Sequence, residues 1–126
     1  MQRSFEFADS EISSVDTQDN TVVVRFAAAL LHSNGEQGYT NGLCLVLQTA
    51  TITGDTPHCI GRISAGHLRI HGERLTSLPV PSHYSAPPNM LRLDLQMANG
   101  AWLQIDTCSL QCDAVAEACT VDVFQC

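Results

Sequence analysis

Residues 90–107 read MLRLDLQMANGAWLQIDT, and this stretch decides the fold class. On both sides of its Ala-Asn-Gly segment, apolar and polar residues alternate, which is typical of half-buried strands. Glycine at the end of such a loop can adopt the left-handed conformation that a tight connection between antiparallel strands requires. The stretch therefore predicts a β-hairpin with one face turned towards a core.

The length of the connecting loop determines the register of this hairpin. A two-residue Asn-Gly turn would place Leu95 opposite Gln104 and mix apolar with polar residues on both faces. A three-residue Ala-Asn-Gly loop instead places Leu95 opposite Leu103 and Leu93 opposite Ile105. A slip of one residue would move every side chain to the other face, so we expect the second register. This register also forms two polar pairs on the other face: Arg92 with Asp106, and Asp94 with Gln104.

The same period-two pattern covers most of the chain, whereas helical periodicity is nearly absent. One helical turn would fit residues 26–32 or residues 113–118. Residues 32–42 and 79–89 are rich in Gly, Asn or Pro and predict irregular loops. A chain of 126 residues is expected to form one domain, over residues 1–126. We predict an all-β, single-domain antiparallel β-sandwich or small barrel of about seven to nine strands, with at most one short helix.

Two more hairpins are expected from runs of β-branched and apolar residues. They join Ile12–Val15 to Val22–Phe26, and Cys59–Ile63 to Leu68–His71. In the second of them, pairing Ile63 with Leu68 turns a basic strip outward on one strand face. This strip is the predicted binding surface, and its residues are Arg62, His67, Arg69 and His71, with Arg74 nearby. The two histidines would stand about 13 Å apart on such a strand, too far to share a metal ion.

The C-terminal stretch CSLQCDAVAEACTVDVFQC holds four of the six cysteines: Cys108, Cys112, Cys119 and Cys126. Only the first two have the close spacing that zinc sites use. If the strand before them continues, their α-carbons lie about 13 Å apart and cannot share one zinc ion. We therefore expect sulfur buried in the core, and we expect no metal and no cofactor. A disulfide between Cys112 and Cys119 stays open as an alternative.

The formal net charge is −7, and it is unevenly distributed. Residues 56–92 hold four arginines and one glutamate, whereas residues 93–126 hold five acidic residues and no arginine. An acidic protein is poorly suited to phosphate backbones, so no direct nucleic-acid binding is expected. It suits a protein partner with a basic surface. With no long apolar run and no signal-like N-terminus, we expect a cytoplasmic protein without membrane contact.

Motifs for catalysis are missing from the sequence. There is no G-x-S-x-G elbow, no Gly-rich phosphate loop and no pairing of carboxylates for acid–base work. We expect a non-catalytic macromolecule-binding protein, of the immunity or inhibitor type, whose acidic surface binds a basic protein partner. The alternative is a small β-barrel that binds an anionic small ligand through the basic strip. An enzyme of unknown class is the third hypothesis.

Overall fold

A computed structural model describes residues 3–113, and this part of the chain is all-β and antiparallel, as predicted. Among the described residues there is no α-helix, and the only helical element is a single 3₁₀ turn at Thr56–His58. No helix in this part is long and apolar enough to cross a membrane. The strands are β1 Arg3–Gln18, β2 Thr21–Ser33, β3 Glu36–Thr40, β4 Cys44–Gln48, β5 Thr51–Gly54, β6 Gly61–Ile70, β7 Glu73–Leu75, β8 Ser77–Val80, β9 Ser82–Ser85, β10 Leu91–Met97, β11 Trp102–Asp106 and β12 Ser109–Asp113.

These strands form one open sheet in the order β5-β11-β10-β6-β1-β2-β4-β12-β9. Three short strands lie beside this path, with β3 paired to β2, β7 to β6 and β8 to β1. The sheet does not close on itself, which favours the predicted sandwich over the small barrel. Buried residues from both halves of the sheet join one hydrophobic cluster, and Ile52 of β5 and Tyr84 of β9 pack against it. Both halves therefore cover the same core.

The long strand β1 reaches both halves because it bends in the middle. Its pairing with β2 shifts register between Glu6 and Glu11, where Asp9 has a positive φ of 71°. The buried Ser10 hydroxyl donates to the Glu6 carbonyl and accepts from the Leu30 amide, so the irregular backbone keeps its hydrogen bonds. The start of β1 pairs with β8, and its middle pairs with β6.

The hairpin that decided the fold class is confirmed in detail. Leu95 lies opposite Leu103 and Leu93 opposite Ile105, and the connecting Gly100 has a φ of 93°. All four of these apolar side chains are buried. The predicted joining of Ile12–Val15 to Val22–Phe26 is also confirmed, as the inner part of the β1–β2 hairpin.

The predicted hairpin over residues 59–71 is wrong. Residues 61–70 form one continuous strand, β6, which pairs along its length with β10 and not with itself. Gly66 explains the continuity, because a Cβ there would lie 2.9 Å from the Phe7 Cβ and 2.8 Å from a Leu95 methyl group. Without a side chain it packs inward against β1 and β10 and does not turn. The turn comes later, at His71 and Gly72, whose φ values are both positive.

Both predicted loops contain strands, which is one reason why the strand count was too low. In residues 32–42, Asn34 and Gly35 form a tight turn with positive φ values that leads into β3. Residues 79–89 include the end of β8 and all of β9, and the Val80–Pro81 peptide between them is cis. The possible helical turn over residues 26–32 is wrong, because these residues belong to β2. The possible turn over residues 113–118 and the last cysteines, Cys119 and Cys126, lie outside the described residues, apart from Asp113 at the end of β12.

Candidate anion-binding site

Three arginines stand side by side on the outer face of the β7–β6–β10 strands. Arg74 lies opposite Arg69, and Arg69 lies opposite Arg92. We call Arg69, Arg74 and Arg92 the arginine row. Directly opposite residues in antiparallel strands have Cβ atoms only about 4.5–5.5 Å apart, so like charges in these positions repel. The row is therefore an electrostatic conflict built into the sheet.

Carboxylates compensate the charge at the Arg92 end of the row, where Asp106 contacts Arg92 and Asp94 acts on it through its charge. Arg92 lies opposite Asp106, as predicted, and its Nε donates to Oδ1 at 2.9 Å. This hydrogen bond and the charge of Asp106 raise the pKa of Arg92. Within residues 3–113, Arg69 and Arg74 form no ion pair. The free positive charge thus lies at the β6–β7 end of the row.

A second polar row runs beside the first, with His67 opposite Asp94 and Asp94 opposite Gln104. The His67 Nε2 lies 3.2 Å from the Asp94 carboxylate, which is ion-pair distance. Burial lowers the pKa of His67, and the nearby Arg74 and Arg69 lower it further, while Asp94 opposes them. His67 is therefore neutral at neutral pH and gains charge only in acid.

Two shallow depressions accompany the rows. One of about 180 Å³ lies between Arg69 and Arg92 and is bordered by Gly72, Asn89 and the half-exposed Met90. The other, of about 230 Å³, is lined among others by His67, Arg74, Asp94, Gln96 and Trp102. Neither volume would enclose a drug-sized ligand, so a bound group would rest on the face of the sheet.

The structure brings together three of the five predicted site residues and separates the other two. His67, Arg69 and Arg74 share the outer face of β6 and β7. Arg62 lies seven residues before Arg69 on the same strand, about 23 Å away, and its register partner is Glu11. His71 occupies the turn after β6 and not a strand face. The hairpin that would have joined all five does not form.

The sequence interpretation missed Arg92 and Asp94 as site residues. Both were placed correctly on the polar face of the β10–β11 hairpin. Their part in the site depends on β6 lying beside β10, a pairing between segments separated by more than twenty residues. The alternation of Leu68-Arg-Ile and Leu91-Arg-Leu was the available signal, since it turns one arginine outward on each strand.

Two of the described cysteines, Cys59 and Cys112, are buried thiols of low reactivity. Cys59, Cys108 and Cys112 carry free thiols, and Cys44, Cys59 and Cys112 are buried, as expected for sulfur in the core. Burial raises the pKa of Cys112 to about 12, with a further contribution from Asp113. Burial and Asp55 raise the pKa of Cys59. These thiols stay protonated at neutral pH and are poor nucleophiles.

Two other groupings of side chains lack what catalysis or metal binding requires. The His83 Nε2 lies 3.0 Å from the Ser109 hydroxyl, which is the contact that a nucleophile and its base would make. Both groups are solvent-accessible, and no described carboxylate contacts the His83 ring, so the third member of a catalytic set is missing there. In residues 3–113, no group of three or more His, Cys, Asp and Glu side chains is arranged to hold a metal ion.

No family model matches the chain, and neither a curated protein nor a solved structure matches it. What the arginine row binds is therefore inferred from its own chemistry. Guanidinium groups present N–H donors in a planar fork that fits the oxygens of a carboxylate or a phosphate. The spacing of the arginine row is compatible with such oxygens.

Proposed function

We propose that this chain is a non-catalytic binding protein whose arginine row holds an anionic ligand. The observation that carries the proposal is Arg69, which lies directly opposite one arginine on each side and has no described carboxylate partner. A row of this kind, compensated only at Arg92, lowers the stability of the free sheet. A bound oxyanion would reverse that effect by placing negative charge between the guanidinium groups.

The shape of the surface limits what the ligand can be. The sheet face is open, and the depression between Arg69 and Arg92 is small, so it suits a single carboxylate or phosphate group. The exposed Met90 at its rim provides apolar contact for whatever carries that group. A small polyanion, or an acidic group that projects from a larger molecule, satisfies both features.

Calorimetric titration tests this proposal with inorganic phosphate and with citrate, which separate the two oxyanion classes. Replacing Arg69→Gln should weaken binding by about tenfold or more, because a hydrogen bond to a charged group contributes about 1.5–3 kcal/mol. Arg62→Gln is the matched control, since it makes the same change on the same strand outside the row. The Arg62→Gln variant should bind phosphate and citrate as tightly as the wild type does.

If Arg69→Gln and Arg62→Gln lost the same affinity, binding would depend on the net charge of the protein and not on the arginine row. The proposal would then fail. It would also fail if neither anion bound the wild type. Circular dichroism and thermal melting of each variant would establish that the fold is intact. Repeating the titration at two salt concentrations would measure how much of the affinity is electrostatic.

A second candidate function is the binding of a basic protein partner by the acidic surface, in an inhibitor-type role. A broad groove of about 780 Å³ at the turn end of the β1–β2 hairpin favours it. Asp16 and Asp19 line this groove, Asp16 in contact with Arg25 and Asp19 in the turn itself. Once a partner is identified, replacing Asp16 and Asp19 by Asn should abolish that interaction and leave anion binding at the arginine row unchanged. Unchanged partner binding would exclude this surface.

A further inference from the structure

Strand β3, Glu36–Thr40, lies at an edge of the sheet and is exposed almost completely. Its residues Glu36 to Tyr39 are all exposed, and the Tyr39 side chain is 61% accessible. It pairs with β2 in a regular register from Ser33–Glu36 to Ala29–Thr40, with no bulge. No residue of β3 belongs to the buried core, so core packing does not explain why this strand forms.

The other described edge strands carry features that block further pairing. β8 contains Pro79 and is followed by Pro81, and β9 lies between Pro81 and Pro87. β7 has only three residues, two of them charged, and β5 has four residues and ends at Gly54. Natural proteins protect edges in these ways, because an open edge recruits another strand. β3 has no proline and no bulge, and its single charge lies at its first residue.

The backbone of β3 turns two hydrogen-bonding residues towards solvent. Because Asn34 and Gly35 form a two-residue turn, the pair that closes it, Ser33–Glu36, is hydrogen-bonded, and bonded pairs then alternate. The N–H and C=O groups of Gln37 and Tyr39 therefore point away from β2. The Leu30 amide agrees with this pattern, since it bonds to the Ser10 hydroxyl and not to Tyr39.

We propose that β3 pairs antiparallel with β3 of a second copy of this chain, about a two-fold axis at Gly38. Gln37 of one copy then lies opposite Tyr39 of the other, and the outward groups make about four backbone hydrogen bonds. Glu36 lies opposite Thr40, so no like charges meet. In a register shifted by one residue, Gln37 or Tyr39 would lie opposite Gly38. No hydrogen bond would form across the interface there, because the N–H and C=O groups of Gly38 face β2. A shift of two would lose about half of the bonds.

Gly38 offers a direct test of this register. A Cβ at this position would meet nothing within 4 Å, and its φ is not in the left-handed region, so the monomer accepts a side chain there. In the proposed dimer, the two Gly38 residues form a non-hydrogen-bonded pair with α-carbons about 4.5 Å apart. Two like charges in this position would repel strongly, and two opposite charges would attract.

Sedimentation velocity of the full chain over a range of concentrations measures the association. The wild type should dimerise with increasing concentration, and Gly38→Lys and Gly38→Glu should each remain monomeric. An equimolar mixture of the two variants should dimerise again. Gln18→Lys and Gln18→Glu, at the exposed far end of β1, are charge-matched controls and should behave as the wild type. A monomeric wild type, dimeric single variants or a monomeric mixture would each overturn the proposal.

Hydrogen exchange locates the interface independently of charge. In the wild type at high concentration, the Gln37 and Tyr39 amides should exchange slowly, and in Gly38→Lys they should exchange fast. The Gly38 and Thr40 amides, which bond to β2, should stay protected in both proteins. A dimer whose Gln37 and Tyr39 amides exchange as fast as those of the monomer would use another surface and would overturn the proposal.

Discussion

The two faces of the β6–β10 pair differ in what their contacts do for the free protein. On the inner face, Leu68 and Leu93 lie opposite each other and are fully buried. Next to this pair, Arg69 and Arg92 lie opposite each other on the outer face. The leucines stabilise the sheet by leaving water, whereas the arginines repel. The inner face therefore holds the strands together, and the outer face carries an arrangement that an anion would stabilise.

The largest effect that separates the two faces should come from Leu93→Ala. Leu93 is fully buried at the centre of the β10–β11 hairpin, so its truncation should lower the free energy of unfolding by about 2–5 kcal/mol. Urea denaturation measures this loss. Gln96→Ala on the outer face of the same strand is the control and should change stability by less than about 0.5 kcal/mol. Similar losses in both variants would contradict the assignment of the faces.

A smaller loss is expected from a single methyl group at Gly66. Its Cβ would lie 2.8 Å from Leu95 and 2.9 Å from Phe7, so Gly66→Ala should destabilise the protein by about 1–3 kcal/mol. Gly38→Ala adds the same methyl group in open space and should be neutral or slightly stabilising. Thermal melting at low concentration compares the two. A tolerated Gly66→Ala would show that β6 is not held by this contact.

Gly66 also shows where the sequence stops being informative. The register of the β10–β11 hairpin could be predicted because the two strands are adjacent in the chain and a slip would expose their leucines. The path of β6 could not, because Gly66 packs against Phe7, which lies in a distant part of the sequence. A glycine followed by a polar residue looks the same in a turn and in a strand whose backbone contacts an aromatic ring.

The site was partly predictable for the same reason. The outward positions of Arg69 and Arg92 follow from alternation within each strand, and the Arg92–Asp106 pair follows from hairpin register. That Arg69 and Arg92 are neighbours follows only from the pairing of β6 with β10. Arg62 was expected near Arg69 because a hairpin would have folded it back, whereas the continuous strand moves it away.

The dependence of stability on pH should come in part from His67. Its folded-state pKa is lowered below 6.5, mainly by burial, so the unfolded chain binds a proton at a higher pH than the folded protein. Stability should therefore be fully present above about pH 6.5 and fall as the pH drops below it. In His67→Gln, the loss between pH 7.5 and pH 5.5, measured by urea denaturation, should be smaller. His58→Gln, at an exposed position, is the control. If the free energy of unfolding fell equally with pH in the wild type and both variants, His67 would not contribute to the pH dependence.

The smallest expected effect is the change in stability when the repulsion within the arginine row is removed. Whether stability rises or falls matters more than the size of the change. Arg69→Thr removes the central charge and adds a β-branched residue, so the free protein should become more stable by about 0.5 kcal/mol. Arg62→Thr, opposite Glu11, should give no such gain. High salt should reduce the gain, because it screens exposed charges.

An anion that binds the arginine row should make the wild type more stable than Arg69→Thr, which is the reverse of the order expected without ligand. A ligand that binds only the folded state stabilises it increasingly as its concentration exceeds the dissociation constant, so a large excess of phosphate or citrate should raise the melting temperature of the wild type above that of Arg69→Thr. If the variant stayed the more stable protein at every anion concentration, the row would be a tolerated repulsion and not a binding site. If Arg69→Thr were less stable even without ligand, repulsion between the arginines would be excluded as well, and the two faces of the β6–β10 pair would both be stabilising.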